Sequence, residues 1–298
     1  VGDPKHKDGP RGFFKFYNEL WDEKQLGPKP IKNPLDLLEK NADGTPRTNN
    51  TYSIGGMKEY WACLNNPHWR AVLKAWTREG IRAGVDGFMI NYFYRHDCLC
   101  DHCQREFREY LGERFTAAEL KTNFKINKLD THKFSEIGAW HNPAESTLFK
   151  REQLRFSQIA TKDCFDEVFV RYGRSLKPGL IVGQWNHIGR FSQINADERC
   201  LLPAELWAKD EDYLWYSTGN SAMYTDLKNG YLGEGTLHSR YIRGATGGKP
   251  FTLGKYESTR TRAAIAELIA NGGAPMGFYT RFTNAAARKV ITQYYNFI

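Results

Sequence analysis

Residues 65–93 read NNPHWRAVLKAWTREGIRAGVDGFMINYF, and this run holds one complete helix-to-strand unit. Asn66 is suited to cap a helix that has Pro67 in its first position. Trp69, Val72, Leu73, Trp76 and Ile81 recur at helical spacing and mark a single apolar face. Gly84 closes that helix, and residues 85–93 follow as a buried strand, an apolar run interrupted by Asp86 and Gly87 near its start and by Asn91 near its end.

The same alternation extends toward the C-terminus. A helix is expected over 101–115, with Phe107, Tyr110 and Leu111 on one face, and a long helix over 147–176 that stops before Lys177-Pro178-Gly179. Strands are expected at 180–185, 212–217, 250–256 and 275–279. A helix lies over 259–270, ended by Asn271-Gly272-Gly273, while 231–243 fits a helix or a loop. Short apolar strands alternating with amphipathic helices specify a parallel α/β sheet. A single (β/α)8 TIM-type barrel over residues 1–298 accommodates the pattern. Residues 1–56, rich in Pro, Gly, Lys, Asn and Asp, read as long loops with one amphipathic piece near 13–20. The first strands of the barrel are then either missing or contained in that loop-rich part.

Composition bounds the function. The chain has 298 residues, 14% of them aromatic, with 42 Lys+Arg against 34 Asp+Glu and a net charge of +8. That aromatic content is incompatible with a disordered chain. The apolar runs are far shorter than the roughly 20 residues a membrane-spanning helix needs, so no membrane partner is expected. The positive charge is spread along the chain without a block of like charges, which disfavours nucleic acid and leaves a basic surface or an acidic substrate. No G-x-G-x-x-G follows the first strand and no G-x-x-x-x-G-K-[ST] occurs, so a nucleotide-phosphate site has no support.

The sharpest local feature is Cys98-Leu99-Cys100-Asp101-His102-Cys103. Thiolates two and five residues apart can converge on one ion as the chain turns into a helix, and tetrahedral zinc takes four such ligands. Cys63, just before the preceding helix, is the natural fourth ligand, with His102 as the alternative. Free thiols or a disulfide is the competing reading. Cys164 and Cys200 stand alone and fit small buried apolar positions.

Residues 62–115, ACLNNPHWRAVLKAWTREGIRAGVDGFMINYFYRHDCLCDHCQREFREYLGERF, resemble the fourth-strand region of family 42 β-galactosidases. There a lone cysteine precedes a helix, a strand ends in Asn-Glu, and C-x-C-x-x-C-x-x-x-F-R-x-[WY]-L follows. The matching positions are Cys63, Cys98, Cys100, Cys103, Phe107, Arg108, Tyr110 and Leu111. Residues 248–282, GKPFTLGKYESTRTRAAIAELIANGGAPMGFYTRF, are more loosely similar to the seventh and eighth strands. The resemblance implies a (β/α)8 barrel acting on an oligo- or polysaccharide, a structural zinc on Cys63, Cys98, Cys100 and Cys103, and a homo-oligomer, since members of that family are often trimers.

The departure from the family is equally specific. Where its strand ends in Asn-Glu with Glu as general acid/base, this chain has Asn91-Tyr92. Lys255 sits near the position of the family's nucleophile, with Glu257 two residues on. Glycoside hydrolysis uses two carboxylates, and Glu257 is the leading one here. Asp97, Asp101, Glu205 and Glu234 lie in connections, and Asp86 at the wrong end of its strand. A second chemistry fits the residues present, namely β-elimination on a uronate polymer. That reaction needs a base, an acid and a carboxylate-neutralising group, roles that Tyr, His, Lys, Asn and Arg fill. Tyr92, His187, Lys255 and Glu257 are therefore the catalytic candidates. Asn91, His96, Trp185, Asn186, Tyr256 and Arg281 are the candidates for binding substrate, the rings by stacking on sugar faces. A non-catalytic glycan-binding barrel is the third reading.

Overall fold

The computed structural model describes residues 12–54, 57–91, 96–135, 147–187, 204–207, 209–212, 214–218, 228–231, 233–255 and 261–275, with isolated positions 285, 289, 292 and 296. It divides into two compact units, Val1–Gln184 with Gln193–Asp212, and Trp185–Ser192 with Tyr213–Ile298. Among the described residues no helix is long and apolar enough to cross a membrane.

The first unit begins with a helical segment, Phe13–Lys15 running into a wider π-type turn over Phe16–Leu20. An antiparallel hairpin follows, β1 (Thr48–Ile54) with β2 (Met57–Tyr60). Helix α1 (Pro67–Arg82) starts where the sequence places it: the Asn66 side chain accepts from the His68 N–H at 2.9 Å, and Pro67 occupies the first turn. Gly84, at φ +92°, takes the left-handed conformation that ends the helix. Strand β3 (Gly87–Ile90) comes next, then α2 (Asp101–Arg114), α3 (Ala117–Phe124) and α4 (Leu148–Phe165). α4 continues through a π-helical stretch, Asp166–Gly173, and a last turn, Arg174–Leu176. The expected long helix is thus present, capped by Thr147, with one widened section.

Strand β4 (Ile181–His187) divides between the units. Its first half pairs in parallel with β3, Phe88 opposite Val182 and Ile90 opposite Gln184. Gly87 permits this approach, because a Cβ there would lie 2.3 Å from the Ile181 carbonyl oxygen. The core of this unit joins Ile90 and Val182 to Val72, Leu73 and Trp69 of α1 and to Phe165, Val168 and Phe169. Each fully buried apolar side chain of that kind contributes about 1.5–3 kcal/mol. Since side chains alternate along a strand, Asn91, one residue beyond Ile90, belongs to the opposite side of the sheet; it is exposed. A second cluster, Phe107, Leu111, Leu120, Ile126 and Phe134, joins α2 and α3.

The second unit carries the end of β4, β5 (Leu214–Thr218), helix α5 (Glu234–Thr246), β6 (Phe251–Lys255), α6 (Thr261–Ala270) and the short β7 (Ala274–Pro275). All neighbouring strands pair in parallel, β4 with β5, β5 with β6 and β6 with β7. The Glu267 carboxylate on α6 accepts from the N–H groups of Gly233 and Thr236, satisfying the first turn of α5 from outside.

Four stretches expected as strands form strands; of the one expected over 275–279 only Pro275 is described, and it pairs with Leu253. The ambiguous stretch near 231–243 is helical. The five parallel strands, among the described residues, establish an α/β architecture with helices between strands. One part of the sequence reading needs correction: residues 48–60 are a hairpin, not loop. Asn49-Asn50 disfavours a strand by composition. The register slips between Asn49 and Ser53, so a bulge absorbs the residues that break the pattern.

Candidate metal centre and strand-end site

Two chain segments bring the thiols together. Cys63 sits in the turn before α1, where its N–H donates to the Leu37 carbonyl at 2.8 Å and its carbonyl accepts from the Asn66 N–H at 3.1 Å. Cys98 and Cys100 precede α2, Cys100 is its N-cap residue in extended backbone, and Cys103 falls in its first turn. The positive end of that helix favours thiolate.

The four sulfurs lie within 4.8 Å of one another. Cys63 Sγ is 3.6 Å from that of Cys100 and 3.4 Å from that of Cys103. Zinc–sulfur bonds of about 2.3 Å in a tetrahedron put sulfurs about 3.8 Å apart, and a disulfide requires about 2.05 Å. The spacing fits a shared cation, and all four thiols are free. His102 is not part of the set. Burial raises the Cys63 and Cys103 thiols, while hydrogen bonds from Cys103, Cys63 and Cys98 hold Cys100 far down. The thiols thus lean toward sharing negative charge, which a divalent cation would stabilise on all four.

Around the sulfurs stands a shell of N–H donors. The Lys40 N–H reaches Cys98 Sγ at 3.3 Å and the Cys100 N–H reaches it at 3.4 Å. Asn65 Nδ2 lies 3.7 Å from Cys103 Sγ, and His96 Nε2 lies 3.1 Å from it. The His96 ring is 3% exposed; its Nδ1 faces Glu39 Oε1 at 3.4 Å. Burial alone would lower the pKa of this ring, but the Glu39 carboxylate and the Cys98 and Cys100 sulfurs hold it above its ordinary value. His96, expected as a substrate contact, therefore stands with the cysteines. Glu39, Lys40 and Asn65 were not singled out in the sequence, because nothing in "LDLLEKN" marks Glu39 and Lys40 as part of a site and Asn65 stands beside the more evident helix cap Asn66. Cys164 is buried and single, as expected; Cys200 lies outside the described residues.

The strand-end candidates fall into two groups. Asn91 follows β3 directly. Trp185, Asn186 and His187 are the last three residues of β4, level with Trp215, Tyr216 and Ser217 of β5. Lys255 ends β6 level with Thr218, one position beyond the Ser217–Gly254 pair. In the second unit, the C-terminal ends of β4, β5 and β6 thus finish within one residue of the same level. Tyr92, Tyr256, Glu257 and Arg281 lie outside the described residues. Two carboxylates weighed for catalysis have structural partners: Asp97 is buried and pairs with Arg47 at 3.4 Å, and Asp86 pairs with Lys177 at 2.9 Å.

No family model matches this sequence, and no curated protein matches it. Among solved structures, the β-galactosidase from Bacillus circulans sp. alkalophilus superposes with a TM-score of 0.55 over 84% of the chain, at 18% identity. The fold is shared with a β-galactosidase. The chain spans 38% of the length of that enzyme, and at this identity the likeness bears on the glycoside hydrolase fold.

Proposed function

We propose that this chain is a (β/α)8 barrel domain over residues 1–298 of a carbohydrate-active enzyme, one that hydrolyses glycosidic linkages in an oligo- or polysaccharide. One observation carries the reading: a fold shared with a β-galactosidase over 84% of the chain has three thiols between β3 and the first turn of α2, converging with Cys63 from before α1. That is the place where the resemblance to family 42 enzymes implies a zinc. In this reading the ion is zinc, coordinatively closed by Cys63, Cys98, Cys100 and Cys103 and so structural. It pins the β3–α2 turn that follows Asn91. Glu257, just past the end of β6, acts as one carboxylate of the hydrolytic pair, and a second comes from a connecting loop. Asn91, Trp185, Asn186, Tyr256 and Arg281 contact the sugar.

A second reading rests on Asn91-Tyr92 standing where the family has Asn-Glu. A phenol with a pKa near 10 is a poor acid/base for ordinary retaining hydrolysis. Elimination on an acidic polysaccharide instead uses Tyr92, His187 and Lys255 for proton transfer, with Asn91 or Asn186 against the uronate carboxylate.

Incubation with neutral and acidic polysaccharides separates these readings. Reducing ends without unsaturated uronate absorbance mean hydrolysis. Both signals together mean elimination. Binding with neither signal leaves a glycan-binding barrel and refutes both enzymatic readings.

A further inference from the structure

The geometry points to Glu39 and His96 as a positioning pair for the metal centre: a carboxylate–imidazole relay whose ring N–H is delivered to Cys103 and governs how firmly the ion is held. This rests on the reading that the four thiols bind a metal. A divalent ion with four thiolates carries two net negative charges, and placing that charge among residues 0–9% exposed (Cys63, Cys98 and Cys103) is costly unless donors face the sulfurs. Cys103 Sγ receives the closest side-chain contact of the shell, His96 Nε2 at 3.1 Å.

The residue is placed at its backbone and at its ring. The His96 backbone N–H donates to Ser157 Oγ at 2.9 Å, and Glu39 Oε1 faces Nδ1 at 3.4 Å. The same Glu39 oxygen accepts from the Asp97 N–H at 3.2 Å, the step in the chain before Cys98. Glu39 is only 1% exposed. A carboxylate so buried is expensive, and its contacts are explained by what they orient. The backbone around it serves the same centre. Glu39 N–H donates to Trp61 O at 2.8 Å, and Leu99 N–H donates to Lys40 O at 2.9 Å. Segment 37–40 therefore touches both metal-binding arms.

The test uses the full chain loaded with zinc and chased with excess chromogenic chelator. In parallel, the cobalt-loaded chain reports the intensity of thiolate-to-metal charge transfer per bound ion. His96→Leu should release zinc about 10- to 100-fold faster, the usual effect of losing an outer-sphere partner. Its charge-transfer intensity per cobalt should stay unchanged, because four thiolates remain. His96→Gln, which puts an N–H back near Nε2, should recover most of the retention. Glu39→Gln should fall between, and it carries the same comparison if His96→Leu fails to fold. Unchanged release in both the Leu and the Glu39→Gln variants overturns the pair's role alone. So does a wild-type cobalt spectrum with the intensity of three thiolates, which would make His96 itself a ligand. A wild-type chain that takes up neither ion overturns the metal reading and the pair with it.

Discussion

Cys63 is the one thiol of the four that comes from outside the Cys98–Cys103 turn, so replacing it should unfasten the first unit as a whole. With an ion bound, the chain from Cys63 to Cys98 becomes a closed loop. Constraining a loop of that length removes unfolded-state entropy worth about 4 kcal/mol at 25 °C, by the same arithmetic used for a disulfide. That is roughly a thousandfold in the unfolding constant. For a unit of the size of Val1–Gln184 with Gln193–Asp212 it corresponds to a fall of about 8–16 °C in midpoint. Cys63→Ser is the perturbation, because Cys63 is fully buried and serine changes little but the ligand atom. Thermal unfolding would be followed in zinc with and without a strong chelator. The wild-type midpoint should drop on chelation to near the Cys63→Ser value, and the variant itself should hardly respond. A wild-type midpoint indifferent to chelator, together with a Cys63→Ser midpoint within about 1 kcal/mol of wild type, would refute the reasoning.

Gly87→Ala should cost about 1–3 kcal/mol, since its Cβ would lie 2.3 Å from the Ile181 carbonyl oxygen and the two strands would have to part; an unchanged melting curve would show that the strands tolerate it. Glu167 gives an acid-side prediction. Burial alone would raise its pKa, but hydrogen bonds from Lys74 and Arg70 hold it below the ordinary carboxylate value. Its contribution is therefore present above the unfolded-state pKa and is lost as pH falls through the lower folded one. Glu167→Gln should be less stable at neutral pH and show a shallower loss of stability below about pH 4, and an acid titration identical to wild type would contradict this. For function, Glu257→Gln should abolish hydrolysis, whereas Tyr92→Phe and His187→Ala should each cost about 10²-fold or more if they transfer protons. Full activity in all three variants would place the chemistry elsewhere.

What the sequence disclosed follows the range of the forces involved. Helix α1 was legible because its cap, its proline and its apolar face are local, and the structure reproduces the Asn66 cap and the Gly84 stop. Four of the parallel strands were legible for the same reason, as apolar runs between clear breakers. The hairpin at residues 48–60 was not, because a bulge hides its period behind two asparagines. Among the four converging thiols, three announce themselves by spacing, and Cys63 joins them by its place just before the preceding helix. Glu39 gave no signal at all: its meeting with His96 is set by packing across a long stretch of chain. The strand-end residues that fall in the described part of the second unit, Trp185, Asn186, His187 and Lys255, lie at the ends of β4 and β6, on either side of β5. Their grouping rested on the expectation that ligands gather at the carboxyl ends of parallel strands.

The position of segment 37–40 against both cysteine arms sets an order of events during synthesis. At about 5–20 residues per second, Glu39 and Lys40 leave the ribosome several seconds before Cys103, and Cys63 waits in between as a solitary thiol. The local Cys98–Cys103 turn is the first piece able to take an ion with three of its ligands. If an ion is captured there, segment 37–40 and Cys63 are the parts that fold back onto it, and until Cys103 has emerged Cys63 has no partner sulfur from the second arm.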